Sequence, residues 1–159
     1  MSVSKIVAGG QTGVDLAALG FARKHQILYG GWVPKGRTNE AGLIPVEYAG
    51  LVETHSPEVI ERTKLNVQSS DATLIVVNGS DSPGTLQTVV FAREAGKPYL
   101  VLDVRQGAEI CQQKLRDWLR TNPVEVLNIA GPRGSEAPGL DAQVRDLLEG
   151  CLDEFAYPR

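Results

Sequence analysis

The fold of this chain is decided by one stretch, Lys5-Ile6-Val7-Ala8-Gly9-Gly10-Gln11-Thr12-Gly13-Val14-Asp15. Its apolar run at residues 6–8 predicts a short buried strand, and the apolar spacing after Gly13 predicts a helix. A glycine turn between a strand and a helix aims free backbone N–H groups at an anion, and the missing side chains let a ligand approach closely. The stretch therefore predicts an anion-binding loop. A tight turn that binds nothing is the alternative.

The candidate ligand-binding residues of this first loop share one glycine-rich turn: Gly9, Gly10, Gln11, Thr12, Gly13 and Asp15. The turn is neither the dinucleotide fingerprint G-x-G-x-x-G nor a Walker loop, because no lysine follows the last glycine. Asp15 would lie in the first turn of the helix, where a carboxylate is stabilised by the helix dipole whether or not a ligand binds.

Composition places the chain among ordinary soluble proteins. It has 159 residues, of which 42% are hydrophobic and 22% charged, which suits a single domain over residues 1–159. A net charge of −3 argues against a nucleic-acid surface. No apolar run approaches the ~20 residues of a membrane span, so we expect no membrane partner and a cytoplasmic location. Two cysteines predict buried reduced thiols, with a disulfide as the alternative.

Strand and helix patterns alternate along the chain, and this predicts an α/β fold with a mainly parallel central sheet and helices on both faces. The continuous apolar run at residues 72–77 is typical of a strand that is buried on both sides. The predicted strands are 6–8, 26–32, 50–53, 72–77, 98–103 and 124–130, and the predicted helices are 13–24, 57–68, 85–95, 108–120 and 140–155.

Three details of the predicted helices can be tested directly. Ser56 is a plausible N-cap for a helix that begins at Pro57. The third predicted helix should turn Leu86, Val89 and Val90 inward. The apolar face of the last predicted helix could serve a symmetric interface.

Three polar, glycine-rich loops follow predicted strands: loop 1 (residues 9–15), loop 2 (78–88) and loop 3 (131–136). Ligands of parallel sheets bind beyond the carboxyl ends of the strands, so we expect the loops to form one pocket for an anionic ligand. In loop 2 the backbone N–H groups of Gly84, Thr85 and Leu86 and the hydroxyls of Thr85 and Thr88 could bind phosphate. The alternative is that Ser82 or Thr85 only caps the helix.

Cationic residues outside loops 1 and 2 complete the predicted site. Arg133 of loop 3 could bind phosphate or molybdate-like oxygens bidentately, or lie exposed. Lys35 and Arg37 belong to an excursion at residues 30–37 that could act as a lid. Trp32 in this excursion would stack on a flat ring of the ligand or pack in the core. Arg62 and Asn66, four residues apart, share one face of a predicted helix, and they could reach the pocket or only make surface pairs with neighbours such as Glu58.

Catalytic and metal chemistry have weak signals. The spacing of the loop acids Asp15, Glu40 and Asp81 does not indicate a general acid and base pair. His25 and His55 are isolated, so no metal ligated by the protein is expected. No G-x-S-x-G elbow supports acyl transfer.

Six motifs in the same order give the chain a family resemblance. It is similar to the molybdenum carrier proteins, which are related to molybdenum-cofactor carriers and to the lonely-guy type of nucleotide-binding proteins. The resemblance implies a Rossmann-like three-layer sandwich and a cytoplasmic homo-oligomer whose ligand is molybdenum cofactor or a nucleotide. The motifs are Gly9-Gly10-Gln11-Thr12-Gly13-Val14-Asp15, Gly31-Trp32-Val33-Pro34-Lys35-Gly36-Arg37, Glu53-Thr54, Arg62-Thr63-Lys64-Leu65-Asn66-Val67, Ser70-Asp71-Ala72-Thr73-Leu74-Ile75 and Leu127-Asn128-Ile129-Ala130-Gly131-Pro132-Arg133.

One departure from the lonely-guy pattern bears on activity. Those phosphoribohydrolases carry P-G-G-x-G-T-x-x-E, and here Thr88 stands where that glutamate would be. A threonine cannot act as a carboxylate general base or stabilise an oxocarbenium-like centre by its charge. A carrier or binding protein is therefore the first hypothesis. A hydrolase of nucleoside monophosphates that uses Asp15 or Asp81, and a nucleotide-sensing module without turnover, are the alternatives.

Overall fold

The computed structural model describes residues 2–79 and 82–158. Asp81 lies outside the described residues. Within them, no helix combines the length and the apolar composition needed to cross a membrane. The helices are α1 Val14–His25, α2 Val59–Gln68, α3 Pro83–Glu94, α4 Ala108–Thr121 and α5 Leu140–Gly150. The strands are β1 Lys5–Val7, β2 Leu28–Gly30, β3 Trp32–Val33, β4 Thr38–Asn39, β5 Gly42–Leu43, β6 Val52–Glu53, β7 Ala72–Val77, β8 Tyr99–Asp103 and β9 Val126–Ala130.

The central sheet has five strands in the order β2-β1-β9-β7-β8, and every pair in it is parallel. This confirms the predicted α/β fold with its Rossmann-like layout. All six residues of β7 are buried, as its continuous apolar run predicts. Helices α1, α4 and α5 share the main core, whereas α2 and α3 meet in a separate cluster around Val67, Phe91 and Ala92. The short strands form two small pairs outside the sheet, β3 with β6 and β4 with β5.

The sheet order decides where the loops lie. Strands β1, β9 and β7 are neighbours and run in the same direction. Loops 1, 3 and 2 follow these three strands in that order. Because the carboxyl ends of these three strands lie together, the three loops meet at one edge of the sheet, as expected.

Three helix boundaries differ from the prediction by two or more residues. Helix α3 begins at Pro83 rather than at Thr85. Helix α2 begins at Val59, with Glu58 as its N-cap, rather than at Pro57 after Ser56. The Ser56 hydroxyl instead accepts the N–H of Glu58 at 3.0 Å and closes a turn ahead of the helix. Helix α5 ends at Gly150, because the chain then makes a short 3-10 turn and an extended Phe155 forms a bridge with Val3.

The outward face of α3 is a further correction. Leu86 and Val90 are 53% and 44% exposed, although the apolar pattern predicts that they point inward. Phe91 packs instead in the cluster with α2, and this contact fixes the rotation of the helix. Thr85 and Thr88 are consequently buried, and two aliphatic side chains are turned toward solvent.

The apolar face of α5 is not an exposed interface. Its residues Leu140, Val144, Leu147 and Leu148 are all buried in the core of this chain, where α5 packs against α1 and α4. The expectation that this face serves a symmetric contact is therefore wrong, because the fold itself already covers it.

Both cysteines are free and buried, which confirms the reduced-thiol prediction over the disulfide. Cys151 lies at the end of α5, and its thiol donates to the carbonyl oxygen of Gln112. Burial raises the pKa of Cys151 to about 11, so the thiol stays protonated at neutral pH.

Candidate functional site

A cavity of about 260 Å³ opens at the carboxyl edge of the sheet. All three predicted loops contribute to its wall, and α2 and the end of β9 close the remaining sides. The residues that line it are Gly9, Gln11, Asp15, Val59, Arg62, Thr63, Asn66, Ser82, Pro83, Gly84, Thr88, Asn128, Ala130, Gly131, Arg133 and Glu136.

The predicted site residues divide into two groups. Those that line the cavity are Gly9, Gln11, Asp15, Gly84, Thr88 and Arg133. Those that do not line it are Gly10, Thr12, Gly13, Lys35, Arg37 and Thr85. The second group comes from the same loops and from the excursion at residues 30–37, but its members are not part of the wall.

A buried ion pair is the main electrostatic feature of the cavity. Asp15 on α1 is only 3% exposed, and its Oδ2 lies 3.6 Å from Nη1 of Arg62 on α2. Burial raises the pKa of Asp15 above its ordinary value, and the Arg62 charge and the N–H groups of Gln11 and Gly9 offset part of that rise. Arg62 therefore reaches the pocket rather than a surface partner.

The pH dependence of folding should carry the signature of Asp15. Because its pKa is raised in the folded state, the fold takes up this proton before the unfolded chain does as pH falls. We therefore compare the free energy of unfolding of the wild type with that of Asp15→Asn. The wild type should gain stability relative to the variant as pH falls from the raised pKa to the ordinary value of 3.8. The slope can reach about 1.4 kcal/mol per pH unit.

Urea unfolding of both proteins between pH 7 and pH 3.5 measures this difference. If the difference shrinks as pH falls, the attraction of Arg62 outweighs the burial of Asp15, and the expectation is wrong.

Arg62 has an unused donor in the wall of the cavity. Its side chain is 11% exposed, and Nη1 also donates to the Thr63 hydroxyl at 3.3 Å. Its Nε is buried and has no hydrogen-bond partner. A buried donor without an acceptor is costly in a native protein, so a ligand oxygen is a natural partner for this guanidinium.

Gly9 makes room for Arg62. A Cβ built on Gly9 would lie 2.5 Å from Nη1 and 2.9 Å from Cδ of Arg62. The glycine in loop 1 is therefore required by the arginine beside it as well as by any ligand.

We expect Gly9→Ala to displace the Arg62 side chain and weaken anion binding about 10-fold, because the guanidinium loses its position. Gly84→Ala is the matched control. Gly84 also lines the cavity, but a Cβ there meets nothing within 4 Å. Titration of both variants with inorganic phosphate checks this, and equal affinities would contradict it.

Loop 1 uses two of its backbone donors internally. The N–H of Gln11 donates to Asp15 Oδ2 at 3.1 Å, and the N–H of Thr12 donates to the Gln11 side-chain oxygen at 3.0 Å. The expectation of freely available N–H groups is thus wrong for these two residues, because nearby side chains satisfy them. The loop's contribution to the wall comes from Gly9, Gln11 and Asp15.

Loop 2 shows the capping alternative. Ser82 is the N-cap of α3, its hydroxyl accepts the N–H of Thr85 at 3.2 Å, and the two hydroxyls lie 2.9 Å apart. The N–H of Thr85 is therefore already bonded, and the N–H of Leu86 donates to the Ser82 carbonyl oxygen at 3.0 Å, so neither is free for a phosphate as predicted. Thr88 remains at the cavity, where its hydroxyl donates to the Gly84 carbonyl oxygen at 2.9 Å.

Loop 3 brings Arg133 to the mouth of the cavity. Its side chain is half exposed, and Nε lies 3.3 Å from Glu136 and 4.0 Å from Glu40. Arg133 is thus a second cation at the cavity, partly neutralised by two carboxylates at the rim.

The excursion places its cations elsewhere. Lys35 is exposed, and Arg37 donates to the carbonyl oxygen of Tyr48 at 3.2 Å. Trp32 is partly buried, and its backbone N–H and carbonyl oxygen are both bonded to the amide of Asn66, at 2.7 and 3.0 Å. Contact of Lys35 or Arg37 with a ligand remains a prediction.

Sequence reasoning assigned no role to several residues of the wall, of which Asn128 and Glu136 are two. Asn128, in β9, is 3% exposed and donates to the Thr73 hydroxyl at 3.3 Å. A polar amide inside an otherwise apolar strand was the available signal. Glu136 follows Arg133 in loop 3 with no distinctive spacing.

Among the described residues, no group of three His, Cys, Asp or Glu side chains could hold a metal ion.

Comparison with known proteins agrees with this architecture. The family model of the circularly permutated YpsA SLOG family matches residues 6–152. A solved structure of a protein from Syntrophus aciditrophicus SB is similar to this chain, with 43% sequence identity and a TM-score of 0.92. The match covers 95% of this chain and 96% of that one. The name of that protein assigns it provisionally to the molybdenum carriers. No curated protein matches the chain at a significant level. This chain is a member of the circularly permutated YpsA SLOG family.

Proposed function

We propose that the cavity binds a small molecule that bears a phosphate or a comparable oxyanion, and that the protein carries molybdenum in the form of its cofactor. The observation that carries the proposal is the Arg62 guanidinium, which lies in the cavity wall with a buried Nε that lacks a partner. Arginine forms short, bidentate hydrogen bonds with phosphate and similar oxyanions.

The charges around the cavity favour an anion of modest size. Two guanidinium groups, from Arg62 and Arg133, line the wall together with the carboxylates of Asp15 and Glu136. Arg62 lies 3.6 Å from the Asp15 carboxylate and offsets its charge, which lowers the repulsion that an incoming anion meets. An adjoining groove of about 220 Å³ shares both arginines and gives the rest of a ligand space to lie in.

The donor set fits molybdenum as cargo rather than as an ion bound directly by side chains. Amide, hydroxyl and guanidinium groups bind the oxygens of a phosphate or an oxyanion, whereas a bare metal ion requires several carboxylate, imidazole or thiolate ligands. The name of the Syntrophus protein supports the choice of molybdenum. A phosphorylated pterin that holds the metal by its own ligands would satisfy both conditions.

Gentle purification followed by acid extraction tests this proposal. The extract is analysed by mass spectrometry, by pterin fluorescence after oxidation and for molybdenum content. A pterin and molybdenum at one equivalent each per chain is the expected result. If the protein is purified empty and then binds no molybdenum cofactor, pterin or nucleotide below millimolar concentration, the proposal fails.

Asp15 also favours a second candidate function, the hydrolysis of the N-glycosidic bond of a nucleoside monophosphate. Its carboxyl group lines the cavity, and burial raises its pKa toward the range that general acid–base catalysis requires. Free base and ribose 5-phosphate would be the products. Asp15→Asn should abolish turnover and leave nucleotide binding intact. Absence of product from every nucleotide at high protein concentration excludes this reaction.

A further inference from the structure

Glu40 lies over the groove beside the cavity. It belongs to the turn between β4 and β5, and we call residues 38–43 the β4–β5 hairpin. The groove is lined by Glu40 and shares Gly9, Gln11, Arg62 and Arg133 with the cavity. Whatever group occupies the position of the Glu40 carboxylate is therefore next to the proposed ligand.

Donors from two separate loops converge on this carboxylate. The Thr12 hydroxyl of loop 1 and the Ser135 N–H of loop 3 both donate to Oε1, the latter at 2.9 Å. The Ser135 hydroxyl donates to Oε2 at 2.5 Å, and Arg133 Nε lies 4.0 Å from the same oxygen. Three hydrogen-bond donors and one cation thus surround two oxygens of a single anion.

Loops 1 and 3 are also joined by a contact that does not involve Glu40. The N–H of Gly134 donates to the Thr12 hydroxyl oxygen at 3.0 Å, so loop 1 and loop 3 are joined directly. Hydrogen bonds from Ser135 and Thr12 hold the pKa of Glu40 below its ordinary value, which keeps it anionic at neutral pH. Hydroxyl, N–H and guanidinium donors of this kind also suit the oxygens of a phosphate or a molybdate.

We propose that Thr12, Arg133 and Ser135 form a second oxyanion subsite, which Glu40 occupies as an internal anion until a phosphate or molybdate group of the ligand replaces it. The proposal rests on the proposed function, because the subsite would bind a second part of the same anionic ligand. Displacement of Glu40 also removes the hydrogen bonds that its carboxylate accepts from loops 1 and 3.

The remaining contacts of the hairpin define what would move. Asn39 donates to the Gly10 carbonyl oxygen at 3.0 Å, and the Glu40 N–H donates to the Gln11 side chain at 3.1 Å. Ile44, directly after the hairpin, is 2% exposed and stays anchored in the interior. The opening would therefore be confined to residues 38–43.

Titration with inorganic phosphate and with molybdate, followed by calorimetry, tests the subsite. Glu40→Gln should bind either oxyanion about 10-fold more tightly than the wild type, which is the gain expected if the internal anion occupies the subsite about nine-tenths of the time. Glu53→Gln is the control for charge. The Glu53 carboxylate accepts the N–H of Gly36 and does not line the cavity or the groove, so this variant should bind as the wild type does.

Two further measurements separate this proposal from the proposed function. Adding Ser135→Ala to Glu40→Gln should abolish the gain, because the subsite loses a donor, whereas Arg62→Gln reports on the cavity itself. Hydrogen exchange at residues 38–43 should quicken in Glu40→Gln, and in the wild type when phosphate is added.

An affinity of Glu40→Gln for phosphate and molybdate that equals or falls below that of the wild type overturns the subsite, whatever Arg62→Gln does. Failure of both proteins to bind either oxyanion at millimolar concentration overturns it too. Loss of binding in Arg62→Gln is the separate test of the cavity.

Discussion

Replacing Arg62 by glutamine should weaken binding of a phosphorylated ligand on the order of 100-fold, because a charge-assisted hydrogen bond contributes about 1.5–3 kcal/mol. The guanidinium lies in the cavity wall and is almost wholly buried. A ligand oxygen would accept from it in surroundings where water competes poorly. Calorimetric titration of the wild type and the variant with the same ligand measures the ratio.

The control for this substitution is Arg145→Gln. Arg145 is half exposed on α5 and pairs only weakly, at 3.5 Å, with Asp141. Arg145→Gln removes the same charge at a site away from the cavity, so affinity for the ligand should stay within about twofold of the wild type.

Arg62→Gln also leaves the buried Asp15 without its cationic partner, which can destabilise the fold. The double variant Asp15→Asn, Arg62→Gln removes that unpaired charge. It should restore stability without restoring affinity. Affinity that returns together with stability would show that Arg62 acts on the fold alone.

Replacing Gly31 by alanine should lower the free energy of unfolding by about 3 kcal/mol or more. Gly31 joins β2 to β3 with a φ of +139°, and a Cβ there would lie 2.1 Å from the carbonyl oxygen of Ala8. The obstructing atom belongs to the backbone of Ala8, between β1 and loop 1, so it cannot turn aside as a flexible side chain could.

The matched control is Gly42→Ala. Gly42 has a comparable φ of +118°, but a Cβ there meets nothing within 4 Å. It isolates the cost of the backbone conformation, about 1–2 kcal/mol. Urea unfolding followed by circular dichroism compares the two variants. Equal losses would mean that the contact with Ala8 relaxes at little cost.

The sequence predicted the sheet and the edge at which the cavity lies. The run Ala72–Val77 is apolar at nearly every position and proved buried throughout, as a central parallel strand must be. The three loops followed from the same reasoning, since the carboxyl ends of parallel strands meet. These features depend on local periodicity and on the direction of strands, which neighbouring residues determine.

Helix rotation was decided by packing rather than by pattern. The apolar residues Leu86 and Val90 predict an inward face, but the contact between Phe91 and Val67 turns them outward. A short helix with apolar residues on more than one side offers two rotations, and only its partner helix selects between them.

The sequence by itself determined a parallel α/β sheet with glycine-rich loops at one edge and an arginine in loop 3. Only the tertiary structure decided that Arg62 faces Asp15. It also decided that Glu40 accepts hydrogen bonds from Ser135, which is 95 residues distant in the chain. Local spacing specifies the direction of a strand or the periodicity of a helix. Pairing between distant charged groups depends on how separate elements pack, because the loss of hydration is offset only where the assembled fold supplies the partner.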